Sequence, residues 1–305
     1  MKLSSLITLA MIALAILLAA CAKAPVPGPH IDPALAGLIP PDTTILLGLR
    51  LDVLEKTDIY KKSLAKRHIP QVDSFAEKTG VDPTKDLWEL LYVSNGKANA
   101  VIGRGKFSDE GEPRLGARGD TRFNYKGFNL VGNEQSAILM VAPSVLVIGD
   151  TAELRAMVDS HEKSSGPPPA LANLLKDISP QAQIWAAYSG GRLPAATDLK
   201  GNLSNVSTIV SLIQRGTLYL DFTAGMNGLA QGSANTDQDA EQLEGGLKAL
   251  VGFGRLSTPS NQPDLLQAWD GLRPTREGRD VKLHIEERPE LVDKLLGLVL
   301  GRTAP

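Results

Sequence analysis

Asn95-Gly96 stands between two apolar runs, residues 89–94 and 97–104, and this arrangement commits the chain to antiparallel strand pairing. A two-residue hairpin turn needs backbone positions that accept positive φ, and Asn-Gly is the strongest short signal for it. The pattern recurs. Pro143-Ser144 separates strands predicted at 137–142 and 145–148, and Asn227-Gly228 is predicted to turn a strand at 217–223 into one at 229–233. Residues 45–51 form an apolar run suited to a buried strand, and residues 123–131 and 280–286 also read as strands.

Helix signals fall between these runs. Asp52 with Glu55 and Asp150 with Glu153 have the spacing of capping boxes, the first opening a helix to about residue 67. A second helix is predicted at 72–79, ended by Gly80, and residues 108–122 read as a long exposed loop. After Asp150, Leu154, Met157 and Val158 share one helical face. Leu203, Val206, Ile209, Val210 and Ile213 do the same over 203–214. Thr236 and Asp239 cap a helix carrying Ala240, Leu243, Leu247, Leu250 and Val251, and Pro289 opens one carrying Leu291, Val292, Leu295, Leu296 and Val299.

Ser164-Ser165-Gly166-Pro167-Pro168-Pro169 breaks the chain into two regions, 39–163 and 170–300. A short helix follows at Leu171, Leu174 and Leu175. The two regions begin alike: Ile39, Pro41 and Ile45 share their spacing with Ile178, Pro180 and Ile184, and each set leads into an apolar strand. The fold expected is α+β, with two similar halves that each contain a β-α-β-β unit, in mainly antiparallel sheets packed by helices. One continuous domain of unrelated halves is the alternative. Ahead of both, residues 22–38 hold four prolines, Pro25, Pro27, Pro29 and Pro33, and read as an extended tether.

The first twenty residues have the layout of an export signal. Lys2 supplies charge, residues 6–17 are apolar apart from Thr8, and Ala19 and Ala20 precede Cys21. A span this short falls below the roughly 20 residues of a permanent transmembrane helix. Leu18-Ala19-Ala20-Cys21 resembles the lipobox of bacterial lipoproteins. The resemblance covers only this leader. It implies cleavage of residues 1–20, a lipidated Cys21 and attachment to the membrane through its acyl chains. Ala22 after the cysteine implies the outer membrane if the source is Gram-negative. Cys21 is the single cysteine, so no disulfide forms within the chain.

The net charge of −2, made slightly more negative by loss of Lys2, leaves no basic stripe for nucleic acid. The four histidines, His30, His68, His161 and His284, are spread across the chain and read as solvated or capping groups. A nucleophile needs an adjacent base, and none is placed for it. Asp237 and Asp239 are explained by a helix start, and Asp109, Glu110 and Glu112 by a charged loop. Gly103-Arg104-Gly105-Lys106 lacks the spacing of a phosphate loop, and Arg118-Gly119-Asp120, Asn202 and Asn205 match short motifs that arise by chance. No catalytic, cofactor or metal site is assigned. The expected function is non-enzymatic binding or scaffolding in the cell envelope, with a protein partner. The alternatives are a carrier of lipid or another apolar ligand, and an enzyme whose site is not visible in the sequence.

Overall fold

The computed structural model describes residues 28–65, 81–109, 121–161, 166–190 and 210–299, with single positions at 73, 76, 77, 112 and 113. Strands β1 (Ile45–Arg50), β2 (Leu87–Ser94) and β3 (Asn99–Gly105) form a meander. β4 (Thr121–Tyr125), β5 (Phe128–Gly132), β6 (Ser136–Ala142) and β7 (Val145–Asp150) form another. The second half of the chain adds β8 (Ile184–Tyr188), β9 (Ile213–Asp221), β10 (Met226–Ala234), β11 (Leu272–Glu277) and β12 (Asp280–Glu287). All twelve join one sheet, in the order β11-β12-β10-β9-β8-β1-β2-β3-β7-β6-β5-β4. Every pairing is antiparallel. The protein is therefore α+β with one large antiparallel sheet. The strands that follow the two Ile-x-Pro segments, β1 and β8, meet at its centre, with Gly48 opposite Trp185.

Residues directly opposite on paired strands share a face. Leu46, Leu91, Ile102, Val147, Trp185 and Ala187 fall on one face and are buried there. They pack under α1 (Pro33–Ala36), α4 (Thr151–Ser160) and α5 (Pro169–Leu175), which contribute Leu35, Leu154, Met157 and Leu171. In the second half the opposite face is covered. There α6 (Asp237–Ser257) places Ala240 and Leu243 on Val281 and Ala234, and α8 (Pro289–Val299) places Val292 beside Leu54, Ile59 and Phe222. Helix α7 (Pro263–Asp270) packs against α6, with Trp269 filling the space beside Gly254.

Several local expectations are corrected. Asp52 and Glu55 form no capping box: α2 spans only Leu51–Leu54 and starts directly from β1, and Asp52 instead accepts from Arg50 at 3.2 Å. A π-helical turn, Tyr60–Leu64, follows. Helix α3 (Pro83–Asp86), set off by Asp82 accepting from Thr84 N, leads into β2. Asp150 sits at the N-cap of α4 without a side-chain cap bond. Residues 123–131 are a hairpin rather than one strand, because Lys126 (φ 48°) and Gly127 (φ 88°) make the turn.

Asn95 turns its hairpin differently from expectation. Its carboxamide oxygen accepts from Lys97 N and Ala98 N at 2.9 Å, and of the pair only Gly96 has positive φ. Asn227 and Gly228 lie inside β10, paired with Asp221 and Leu220. The turn comes earlier, where Asp221 accepts from Thr223 N and Gly225 takes φ 110°. Ile213 and Gln214 belong to β9, not to a helix, and residues 203–209, most of 72–79 and most of 108–122 lie outside the described residues.

The largest correction concerns the tether. From Gly28 onward the chain is part of the fold: Leu35 and Ile39 are fully buried, and Leu38 nearly so, in the main core. Asp32 caps α1 by accepting from Ala34 N at 2.9 Å, and Pro33 takes the first helical position. Asp-Pro was the signal for this turn.

Candidate functional site

Two places in the fold gather chemistry. The first is an apolar cleft of about 370 Å³ on the sheet face opposite Trp185. Its floor is the row Ala186, Leu218, Ala230 and Leu283, one residue from each of four adjacent strands, held level by register. Gly216, Gly232 and Val281 form the next row, and Leu243 and Leu247 of α6 make one wall. Small residues at 186, 216, 230 and 232 leave the space that the cleft occupies beside α6. Ile45 and Tyr188 carry the cleft to the central strands, where Leu47 is 38% exposed. Burial pushes the Tyr188 phenol up from its ordinary pKa, which keeps it neutral. Among the described residues no Asp, Glu, Lys, Arg or His lines the cleft, so that lining suits an uncharged apolar group.

The second place is a buried ionic cluster where the N-terminal segment meets the sheet. The Asp32 N–H donates to Glu89 Oε1 at 3.2 Å, and Arg104 bonds the Asp32 carboxylate. Ligand atoms of His30, Asp32 and Glu89 lie within 4.8 Å of one another. His30 was read as a solvated tether residue, and nothing in its sequence neighbourhood points to Glu89. The group has the donor types of a metal site, but its charges are already matched. Arg104 holds Asp32, a backbone N–H holds Glu89, and Arg50 acts on Glu89 as well. The cluster is best explained as the fastening of residues 28–39 onto β2 and β3.

Glu89 is 4% exposed, and burial pushes its carboxyl from the ordinary 4.5 up to about 7, against the opposing pull of Asp32 N–H and Arg50. The folded state therefore binds this proton more tightly than the unfolded chain does. Its contribution to stability is complete below pH 4.5 and is lost as pH rises toward 7. Glu89→Gln keeps an acceptor for Asp32 N–H and removes the titration. Between about pH 5 and 8 the variant is expected to lose roughly 1–3 kcal/mol less stability than the wild type, measured by denaturant unfolding at each pH. Equal slopes would contradict the assignment.

The other candidates stay apart. His161 Nδ1 lies 3.2 Å from Gly37 O at the end of α4, His284 is exposed on β12, and His68 lies outside the described residues. Asp237 and Asp239 occupy the first turn of α6, where Thr236 Oγ1 accepts from Asp239 N at 3.0 Å. Gly103 to Lys106 end β3, with no helix following. Cys21, Arg118-Gly119-Asp120, Asn202, Asn205 and Glu110 lie outside the described residues, as do the side chains of Asp109 and Glu112. No helix among the described residues is long and apolar enough to cross a membrane.

Fold and site together define an α+β protein with a twelve-stranded antiparallel sheet and an apolar cleft under one long helix. Among solved structures, crystal forms I and III of TP0453 are each similar at 10% identity with a TM-score of 0.46, covering 88% and 89% of this chain and 98% of theirs. Crystal form IV of TP0453 gives 11% identity and a TM-score of 0.45, covering 89% of this chain and 98% of its own. No family model and no curated protein sequence matches the chain.

Proposed function

We propose that this chain is a lipid-anchored cell-envelope protein that binds an uncharged apolar ligand in the cleft beneath α6. The observation that carries the proposal is the cleft itself: space of about 370 Å³, an apolar floor, and no charged group among the described residues that line it. An apolar cleft offers water few polar partners, whereas an acyl chain or similar group gains about 0.8 kcal/mol per methylene buried. The lipobox-like leader supports the anchor, with Cys21 acylated and the outer membrane as the destination if the source is Gram-negative. This reading is one of binding and invokes no catalytic step.

Ala230 sits mid-floor, so Ala230→Phe should fill the cleft from below. Binding of a fluorescent fatty acid is expected to weaken at least about tenfold in this variant, with its unfolding midpoint close to wild type. Unchanged affinity would place the ligand elsewhere or remove it.

A protein partner is the second reading, favoured by Phe253 and Leu256 on the far end of α6, which are 63% and 89% exposed. Recovery of one protein from cross-linked envelopes, lost on Leu256→Lys, would support it. The two halves also support an internal repeat. β1-β2-β3-β7-β6 and β8-β9-β10-β12-β11 run outward from the centre in the same rank order, and a helix, α4 or α8, follows the last strand of each.

A further inference from the structure

The fastened N-terminal segment has a geometric consequence. Residues 28–39 are built into the fold, so at most the stretch 22–27 separates Cys21 from the folded body. At about 3.3–3.6 Å per residue, even full extension gives roughly 25 Å. A body anchored in this way cannot stand far from the bilayer, and the end of the sheet where the chain enters must face it.

That end is marked. His30, just inside the entry point, gathers with Asp32 and Glu89 at the start of β2. Trp88, the neighbouring residue, is 39% exposed. The Arg104 guanidinium lies over its ring at 5.5 Å and also reaches Asp32, so the indole, the arginine and the entering chain are within one side chain's length of each other. An exposed tryptophan under an arginine is the composition that membrane–water interfaces select. The indole body suits the headgroup level, and the guanidinium, besides donating to Asp32, has further N–H groups to offer a phosphate.

We infer that the Trp88–Arg104 end of the sheet is a membrane-contact surface, seated on phospholipid headgroups when Cys21 is acylated. The inference rests on the lipid-anchor reading. The surface is separate from the apolar cleft, whose floor lies across β8, β9, β10 and β12.

The test uses the full acylated chain in vesicles of phosphatidylglycerol and phosphatidylcholine, the latter brominated near the carbonyl end of its acyl chains. Of the three tryptophans, Trp185 is fully buried and serves as an internal reference for folding. Trp269→Phe removes the third. In that background bromine should quench most of the Trp88 share of the emission, and Trp88→Phe in the same background should abolish the quenching. Arg104→Gln should reduce it at least twofold, while Trp185 emission stays unchanged. The mass of the N-terminal peptide is measured on the same sample. Acylated Cys21 with no bromine quenching overturns the membrane-contact surface and leaves the anchor standing. Unmodified Cys21 overturns both.

Discussion

Gly48→Ala should lower the unfolding midpoint by on the order of 10 °C. Gly48 lies at the middle of β1, paired with Trp185 on one side and Leu91 on the other. A Cβ built on it would sit 2.1 Å from Trp185 Cε2, 2.3 Å from Cζ2 and 2.4 Å from Nε1. The indole cannot retreat, because Trp185 has no exposed surface and is enclosed by the main core. The strand cannot retreat either, since it is hydrogen-bonded on both edges at the centre of the sheet. Overpacking of a dense core costs about 1–3 kcal/mol and more where relaxation is blocked, so about 3 kcal/mol or above is expected here.

A double-mutant cycle isolates the cause. Trp185→Leu destabilises by leaving a cavity, yet it also removes the ring that the new methyl strikes. The pair of changes together should therefore cost less than the sum of the two singles by 1 kcal/mol or more. Additive costs would mean that Gly48 is required for another reason.

The second large effect is Leu35→Ala. Leu35 is fully buried although it belongs to a helix of four residues that could not persist alone. Truncating a buried leucine costs about 2–5 kcal/mol, and here the loss falls on one thin attachment. Leu35, Leu38, Ile39 and the Asp32–Glu89 hydrogen bond are what hold residues 28–39 down. The variant should show a reduced global stability and, separately, cleavage within 28–39 under native conditions at protease levels that leave the wild type intact. Global loss without local cleavage would show that the segment unfolds only with the rest.

The sequence made much of this fold legible, for reasons that are local. Alternating apolar runs around Asn95-Gly96 and Pro143-Ser144 determine both pairing partners and direction, and the strands follow. The helix that opens at Thr236 is equally local, because a hydroxyl at the N-cap and apolar residues at helical spacing are sufficient. The misreadings have physical causes as well. Asn227-Gly228 has turn chemistry, but Asp221 and Gly225 offer a better turn four residues earlier, and the register then draws Asn227 into the ladder. Four prolines made residues 22–38 look unattached, yet Pro33 favours the very turn that buries Leu35.

The cleft was beyond sequence reasoning for a different reason. Ala186, Gly216, Ala230 and Gly232 are unremarkable small residues in their own strands. They come to line one cleft only because two pairings bring them side by side under a helix that begins at Asp237. Likewise Glu89 and His30 are far apart in the chain, and only the docked N-terminal segment unites them. Spacing rules detect ligands that neighbour one another in sequence, and neither site is of that kind.

The cleft beneath α6 is expected to hold an apolar ligand in the cell. Native mass spectrometry of protein purified from envelopes tests it most directly. The wild type should carry a non-covalent adduct that extracts into organic solvent, and Ala230→Phe should lose it. A wild-type mass equal to that of the acylated polypeptide alone, in folded protein, would contradict the claim.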